Sequence, residues 1–517
     1  MADTSQISPF VFGCSGGLVL NKDTFSFEPG ESRILQNFEP DIKGGYKRIL
    51  GTTFYNTNIV PQVSSSNERV VMSAVFNDLV LAARGGSIHR ASSGSGSWTS
   101  VKTGLGTPSK NYEFQKFNFT GTDNIVIATG TSFPIIIDTS YNVSTVNATG
   151  SVNGFSIVEV FKNHIFFAGG TSAPQEIKFM GPFQTNDFTS SNGGGAIKVD
   201  TTIIGLKVFR GSLFIFGLDK IFKLTGTSLS DFAITPVTRT IGCLDRGSIQ
   251  ELGGDIVFLA PDGIRTIAGT ERIDDVELGT ISKQIQERID EVTTDNVSSL
   301  VIRKKSQYRM FYPKTSGTEA SAKAIISVVK VNSNTGRLGY EYADLVGIKA
   351  SCCDSDFIGS TETPLHGGYD GYVYLEESGT SASNVFTRAG GTTNIESIYK
   401  SPDLTMGDPG IRKNMQRVIV NYTNEGLVDA DLRLRYDYDS ATTPQPGSYP
   451  LATGNIPAIY GTGTYSNSTY NQSSLPLVRQ DVQGSGFAVA VKVNDESANP
   501  PISLKGFELE FVPGGRR

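Results

Sequence analysis

The stretch "FSIVEVFKNHIFFAGGTSAPQEIKFM", Phe155 to Met180, carries the pattern that decides the fold. An apolar run is followed by the polar pair Lys162-Asn163, then by a second apolar run ending in small residues, another turn and a third apolar run. Short apolar runs bounded by Gly, Asn and Asp read as antiparallel strands joined by tight hairpins.

Outward from this unit the arrangement recurs. Copies are "VVMSAVFNDLVLAARGGSIHRAS" from Val70, "FQKFNFTGTDNIVIATGTSFPIIID" from Phe114, "IIGLKVFRGSLFIFGLDKIFKLTG" from Ile203 and "GSIQELGGDIVFLAPDGIRTIAG" from Gly247. Two degenerate copies follow, "VSSLVIRKKSQYRMFYPK" from Val297 with "KAIISVVKVN" from Lys323, and "PLHGGYDGYVYLEES" from Pro364. The first tight turns fall near Asp78, Asp123, Asn163, Ser212, Asp255, Ser306 and Asp370, a spacing of roughly 40 to 65 residues, the period of a propeller blade with insertions. Each copy supplies about three or four strands, too few to bury both faces of a sheet alone, and radial stacking covers those faces. The reading is therefore all-β, a β-propeller of six or seven blades over residues 66–392, with a β-sandwich array of coincidental spacing as the alternative.

Two flanking regions differ. Residues 1–65 read as an extended arm with strand fragments and too few apolar residues in sequence for a core of its own, so it must lie on the rest of the chain or on another copy. From about Thr393 to residue 517, "MQRVIVNYTNEG", "VDADLRLRYDYDS", "GFAVAVKVND" and "ISLKGFELEFVPGG" alternate apolar and polar residues, as in a separate antiparallel β-sandwich. The Gly, Ser, Thr, Asn, Tyr and Pro of Thr442 to Ser474 form either a long loop or a surface that orders against a neighbouring subunit. One segment breaks the β pattern: Leu278, Ile281, Ile285, Ile289 and Val292 recur at steps of three and four, predicting an amphipathic helix over about 278–293 with Thr280 as its N-cap.

Composition narrows the function. The chain has 51 Asp and Glu against 45 Lys and Arg, a net charge of −6, which argues against a protein that grips DNA or an anionic membrane by bulk attraction. Glycine, at 57 of 517 residues, fits many turns. The four cysteines, Cys14, Cys243, Cys352 and Cys353, are too few and too unevenly placed for a disulfide framework or a zinc site. No secretory signal and no membrane span is expected, so the sequons at Asn118, Asn142, Asn147, Asn296, Asn421, Asn467 and Asn471 read as turn composition.

The candidate chemical motifs dissolve on inspection. Gly13-Cys14-Ser15-Gly16-Gly17 matches a nucleophile elbow, but a β-like "LVLN" follows where a helix is required, and His89, His164 and His366 are the only bases of that kind. These histidines share no metal-ligand spacing, and the pairs Asp354/Asp356 and Asp437/Asp439 lack the Gly and Glu of a calcium loop. "SSGSGSWTS" around Trp98, the sole tryptophan, lacks the aspartate of a sialidase Asp-box. Arg303, Lys304, Lys305 and Arg309 alternate on a predicted hairpin and read as a charged edge that resists strand pairing, with contact to phosphate or to an acidic neighbour as the other reading. No catalytic, cofactor-binding or metal-binding residue is assigned, and no cofactor is expected.

Three stretches resemble a known family. Pro29-Gly30-Glu31, Asn37-Phe38 and Gly44-Gly45-Tyr46-Lys47-Arg48, within Gly16 to Gly51, form the first; "IGCLDRGSIQELGGDIVFLAPDGIRTI", Ile241 to Ile267, is the second. "DLTMGDPGIRKNMQRVIVNY" from Asp403 and "FELEFVPGGRR" from Phe507 form the third. In that order they resemble the tail-nozzle, or packaged-DNA-stabilising, virion proteins of short-tailed bacteriophages. The resemblance implies a non-enzymatic structural subunit of the virion tail, assembled in the host cytoplasm, with six copies in a ring below the portal and its adaptor. It also implies contacts with tail fibre or spike and with needle or plug proteins, and a channel through which DNA is ejected without being held. The rival expectation is a receptor-binding or glycan-cleaving tail propeller, which requires carboxylates and aromatics converging at one propeller face.

Overall fold

The computed structural model describes residues 6–516 apart from 64–67, 108, 149–151, 269–279, 293–295, 313–321, 332–337, 379–393, 427 and 453–476. The chain is all-β and forms a β-propeller with a sheet-rich C-terminal region. Blades 1 to 4 each take four antiparallel strands in chain order, from Val70–Phe76 to Thr99–Lys102, Glu113–Phe117 to Val143–Thr145, Ile157–Phe161 to Gly195–Lys198, and Ile203–Phe209 to Ala233–Thr238. Blade 5 has three strands, Gln250–Leu252, Asp255–Ala260 and Gly263–Thr266. Blade 7 has Ala350–Ile358, Thr361–Gly368 and Val373–Leu375, completed by Thr53–Phe54. These six sheets are discrete. The sector between blades 5 and 7, called blade 6, is filled by Ser298–Ile302, Gln307–Phe311, Lys323–Val331 and Leu338–Val346, the first four strands of a nine-stranded sheet.

The hairpins follow from the turn residues. Asn77 and Asp78 have φ of 49° and 60°, Lys162 and Asn163 have 47° and 63°, and Gly253 and Gly254 have 62° and 78°. Two consecutive left-handed residues twist a two-residue loop to match the strands that it joins.

Period-two alternation then sends neighbouring side chains to opposite blades. In the strand Asn124–Ala128, Ile125 and Ile127 pack toward Ala74, Leu81 and Ile88 of blade 1, while Val126 and Ala128 pack toward Val158, Ile165 and Phe167 of blade 3. Separate apolar clusters likewise join blades 3 and 4 through Phe166, Phe179, Ile215 and Leu224, and blades 4 and 5 through Phe216, Ile221, Ile256 and Phe258. Every sheet is covered on both faces only because it has two neighbours, the condition that makes a propeller cohere. The ring closes where blade 7 meets blade 1: Val75 N–H donates to Asp354 at 3.1 Å, and the Ser351 hydroxyl donates to Val70 O at 2.6 Å.

Beyond the propeller, Ile411–Asn424 and Ile502–Arg516 pair along almost their whole length. They form a seven-stranded sheet with Ser8–Gly13, Phe38–Pro40, Tyr46–Arg48, Leu477–Asp481 and Ser485–Gly486. Opposite lies the remainder of the nine-stranded sheet, in the order Ile34–Gln36, Ser397–Lys400, Val489–Asp495, Asp429–Tyr436 and Tyr449–Ala452. One apolar cluster, including Phe38, Tyr399, Val418, Leu434, Val491 and Leu509, runs from this pair of sheets into blades 5 and 6.

The first sixty-five residues are threaded through the same chain. Ile34–Gln36 lies between blade 6 and the C-terminal strands, parallel to Leu338–Val346 and antiparallel to Ser397–Lys400. The residues that carry the family resemblance hold this thread in place. Tyr46 donates its hydroxyl hydrogen to Gly30 O at 2.6 Å and accepts from Gly17 N–H at 3.0 Å. The Asn37 side chain donates to Glu396 O at 2.7 Å and accepts from Val346 N–H at 2.8 Å. The buried Arg48 pairs with Asp495 at 2.9 Å. At Gly45 a Cβ would stand 2.2 Å from Leu504 O, so no other residue fits where the thread crosses the strand Ile502–Arg516.

One expectation changes, and another goes largely unaddressed by the described residues. Within the stretch expected as a helix over 278–293, the described residues contain a 3₁₀ turn, Lys283–Ile285, running into one α-helical turn, Gln286–Ile289. Thr280 does not cap it; it bridges Arg265 of blade 5 as an extended residue, and the Ser282 hydroxyl accepts from Ile264 N–H at 2.9 Å. Pairing with blade 5 takes the residues that helical spacing assigned to the first turns. The region expected at Thr442 to Ser474 lies mostly outside the described residues, which include Tyr449–Ala452 as the strand paired with Asp429–Tyr436.

Candidate functional site

The innermost strands of the blades surround an axial cavity of about 760 Å³. Its wall is polar: Glu113, Gln115 and Lys116 of blade 2, Lys207 of blade 4, Arg246 and Glu251 of blade 5, Arg303 of blade 6, and Asp354 and Asp356 of blade 7. These residues project here because the alternation that buries Phe114 against blade 1 turns Glu113 and Gln115 toward the axis and blade 3.

At the end where the innermost strands begin, side chains lace the blades together. Arg246 donates to Ser156 O at 2.6 Å and to Asn111 O at 2.5 Å, reaching from blade 5 to the approaches of blades 3 and 2. Asn111 donates to Ser351 O of blade 7 at 2.7 Å, and Arg69 donates to Asn111 and, at 3.1 Å, to Asn296. Lys110 pairs with Asp245 at 2.8 Å. Charged side chains are exposed at both ends: Lys110 is 49% exposed at this one, where Arg246 is 15% exposed, and Arg303 and Lys116 are 52% and 37% exposed at the hairpin end. There Lys116 pairs with Asp356, and Arg303 donates to Ser355 O at 2.9 Å and lies 5.6 Å from the Phe357 ring.

Between the two ends sits a pair of acids. Gln115 donates to Glu159 at 3.3 Å, and Arg246 stands 3.5 Å from Glu113. Burial pushes the Glu113 carboxyl up; Arg246 draws it back and Glu159 pushes it further, leaving it at about 7. Glu159 is raised as well, by burial against the pull of Lys207, and Asp354 is raised by burial against hydrogen bonds from Val75 and Ser355 N–H and the pull of Lys116. Glu113 Oε2 is buried without a hydrogen-bond partner. The wall thus offers a carboxyl that carries its proton near neutral pH, beside carboxylates and cations from other blades.

The motifs singled out in the sequence divide between the cavity wall and other parts of the chain. Gly13 to Gly17 is the turn that leaves the strand Ser8–Gly13; Ser15 N–H donates to Gly30 O at 3.1 Å, and Gly16 N–H to Glu341 at 3.2 Å. The three histidines are buried in separate blades, His89 against Ser87 at 3.0 Å, His164 against Lys162 O at 2.7 Å and His366 against Glu376 at 2.6 Å. Among the described residues no three His, Cys, Asp or Glu side chains group as a metal site. Asp437 accepts from Phe487 N–H at 2.6 Å, tying a turn to the sandwich, and Trp98 donates to Asn58 O at 2.8 Å. Burial pushes the Cys243 thiol up to about 12 and raises Cys14, Cys352 and Cys353 too, so these thiols are poor nucleophiles. Asp354/Asp356, Cys352, Cys353 and, from the basic run, Arg303 lie on the cavity wall.

Only part of the basic run is a solvent-facing edge: Arg303 and Lys304 are exposed at the turn, whereas Lys305 and Arg309 turn inward. Arg309 is fully buried and pairs with Glu376 at 2.8 Å, with Glu39 at 3.2 Å and with Glu377. Lys305 pairs with Glu39 at 2.5 Å and with Glu377. The run therefore meets acidic residues within its own chain, brought together where the N-terminal thread passes between blades 6 and 7.

Sequence reasoning missed Glu113, Glu159, Lys207 and Arg246. Glu159 and Lys207 are lone charged residues within otherwise apolar innermost strands, Arg246 lies just before one, and Glu113 opens a strand in which Gln115 and Lys116 are polar too, so the signal is visible only once the strand is known to be innermost.

No protein-family model matches the chain, and no curated protein does. Several solved structures align with part of the chain. A computationally designed protein, Ika8, aligns over 62% of this chain and 99% of its own at 10% identity and a TM-score of 0.35. BBS1N, solved in complex with ARL6DN, aligns over 66% and 99% at 11% identity and 0.37. Raptor from Chaetomium thermophilum aligns over 69% of this chain and 29% of its own at 10% identity and 0.40.

Proposed function

We propose that the chain is a structural subunit of a bacteriophage tail, a nozzle protein that forms a ring below the portal and its adaptor. The observation that carries the reading is the coincidence of the resembling residues with the parts that hold the molecule together. Gly30, Asn37, Tyr46 and Arg48 lock the N-terminal thread into the sheets. Asp245 and Arg246, in the second resembling stretch, lace the propeller axis. The third stretch supplies most of the two longest strands. A resemblance concentrated on architectural residues fits a protein whose work is its shape.

The conduit would lie between copies. A cavity of about 760 Å³, crossed at one end by Arg246, Asn111 and Arg69, is no passage for a duplex through one propeller. With a net charge of −6, the chain suits a wall that DNA slides past, since each cationic contact to phosphate adds a salt-dependent hold. Copies would meet through surfaces such as the edge strand Ser8–Gly13, whose Val11 is 69% exposed.

Native mass spectrometry and negative-stain microscopy of the purified chain test the assembly. Six-fold rings with a central lumen are the expected result, and a chain that stays monomeric or forms trimers at every concentration tried removes the nozzle reading.

A further inference from the structure

We propose that the axial cavity is a binding site for a short, uncharged oligosaccharide. The inference does not rest on the nozzle reading; a nozzle subunit without a ligand, or a ligand-binding propeller that forms no ring, would separate the two.

The balance of the wall excludes the other simple ligands. At about 760 Å³ the cavity falls within the ~300–1,000 Å³ of small-molecule sites. An apolar ligand would bury charged groups without replacing their hydrogen bonds. An anion or a cation would favour one sign, but the wall carries both: Glu113, Glu251, Asp354 and Asp356 stand with Lys116, Lys207, Arg246 and Arg303. A hydroxyl both donates and accepts, so a polyhydroxylated neutral molecule can serve carboxylates and ammonium groups at once.

Two groups on the wall can take such a partner. Glu113 Oε2 is buried without a hydrogen bond, with Arg246 3.5 Å away, and the Lys207 ammonium lies on the cavity wall, where its charge draws on Glu113 and Glu159. A carboxyl at about 7 is both a donor and an acceptor near neutral pH, which suits a sugar hydroxyl without demanding a counter-charge. Next to the cavity-lining Asp356, Phe357 is 47% exposed with Arg303 5.6 Å from its ring, an aromatic plane that a sugar ring reaches if Arg303 moves off it.

The test titrates the full chain with maltotriose, cellotriose and the trimer of N-acetylglucosamine, followed by calorimetry and ligand-observed NMR. At least one trisaccharide is expected to bind one site per chain with a Kd between micromolar and low millimolar values. Lys207→Met and Glu113→Gln should each weaken it by roughly tenfold or more, and Phe357→Ala by a smaller factor, with unchanged thermal melting for Lys207→Met. Lys207 is only partly buried, so that variant keeps the test sound even if Glu113→Gln perturbs folding. The proposal is overturned if none of the three binds up to about 10 mM, if binding is unaltered by both cavity variants, or if only charged saccharides bind.

Discussion

Two interfaces within one propeller solve the same problem by opposite means. Between blades 2 and 3 the contact is hydrocarbon: Val126, Ala128 and Ile136 meet Val158, Ile165 and Phe167. Between blades 6 and 7 the N-terminal thread brings Glu39 into a buried network with Lys305, Gln307, Arg309, Glu376 and Glu377, and His366 reaches Glu376 from blade 7. The apolar contact is stable whatever its register with distant parts of the chain, because dispersion and burial are undirected. The charged one is satisfied only when three separate segments arrive together, since a buried ion left without its partner is strongly unfavourable. The difference teaches where the chain stores its specificity: local blades cohere through packing, and the thread that closes them is recognised by charge.

Arg309→Leu should break the comparison most severely. It leaves Glu39, Glu376 and Glu377 facing one another with only Lys305 for compensation, at a cost of about 4 kcal/mol in chemical denaturation. Ile165→Ala, in the apolar interface, should cost about 3 kcal/mol and the same amount at pH 5 as at pH 8, because no titrating group is involved.

The two regions should also separate in acid. Burial raises the Glu377 carboxyl, but Lys305 and Arg309 outweigh it and bring it down to about 2. Its contribution is therefore present above the ordinary carboxylate value and is lost as pH falls from there toward 2. Glu113 behaves oppositely. Its folded value of about 7 exceeds the unfolded value of 4.5, so the folded state holds the extra proton and stability falls as pH rises between the two. Glu113→Gln should remove that fall and gain roughly 2 kcal/mol at pH 8, read from denaturation midpoints across pH. The smallest effect should come from Glu39→Gln. Two carboxylates then remain for two cations where three stood before, so the charge count becomes balanced and the loss is about 1 kcal/mol. Limited proteolysis within residues 1–65 should still quicken, since this contact pins the thread.

The contrast also marks what the sequence could reveal. Blades 1 to 5 were legible because their partners are neighbours in the chain: Val158 pairs with Phe167, and the turn between their strands is written as Lys162-Asn163. The thread was not legible in the same way. Ser8–Gly13 pairs with the strand Ile502–Arg516, and Gln36 lies opposite Asp344, at separations that no local pattern reports. Arg309 looked like a surface charge because its acidic partners lie at positions 39, 376 and 377. The helix expected at 278–293 followed its spacing until pairing of Thr280 with Arg265 displaced it. The cavity residues remained hidden for a related reason, since the axis is defined only when all the blades are placed.

The account's central claim is a place in a particle. Cryo-electron microscopy of the purified virion tail, with this chain traced and its copies counted, tests it most directly. The account predicts six copies in a ring between the portal adaptor and the tail tip, with the DNA path between the copies and not through any propeller axis. Finding the chain distal, as trimers on host-contacting fibres, or absent from the virion, would contradict it.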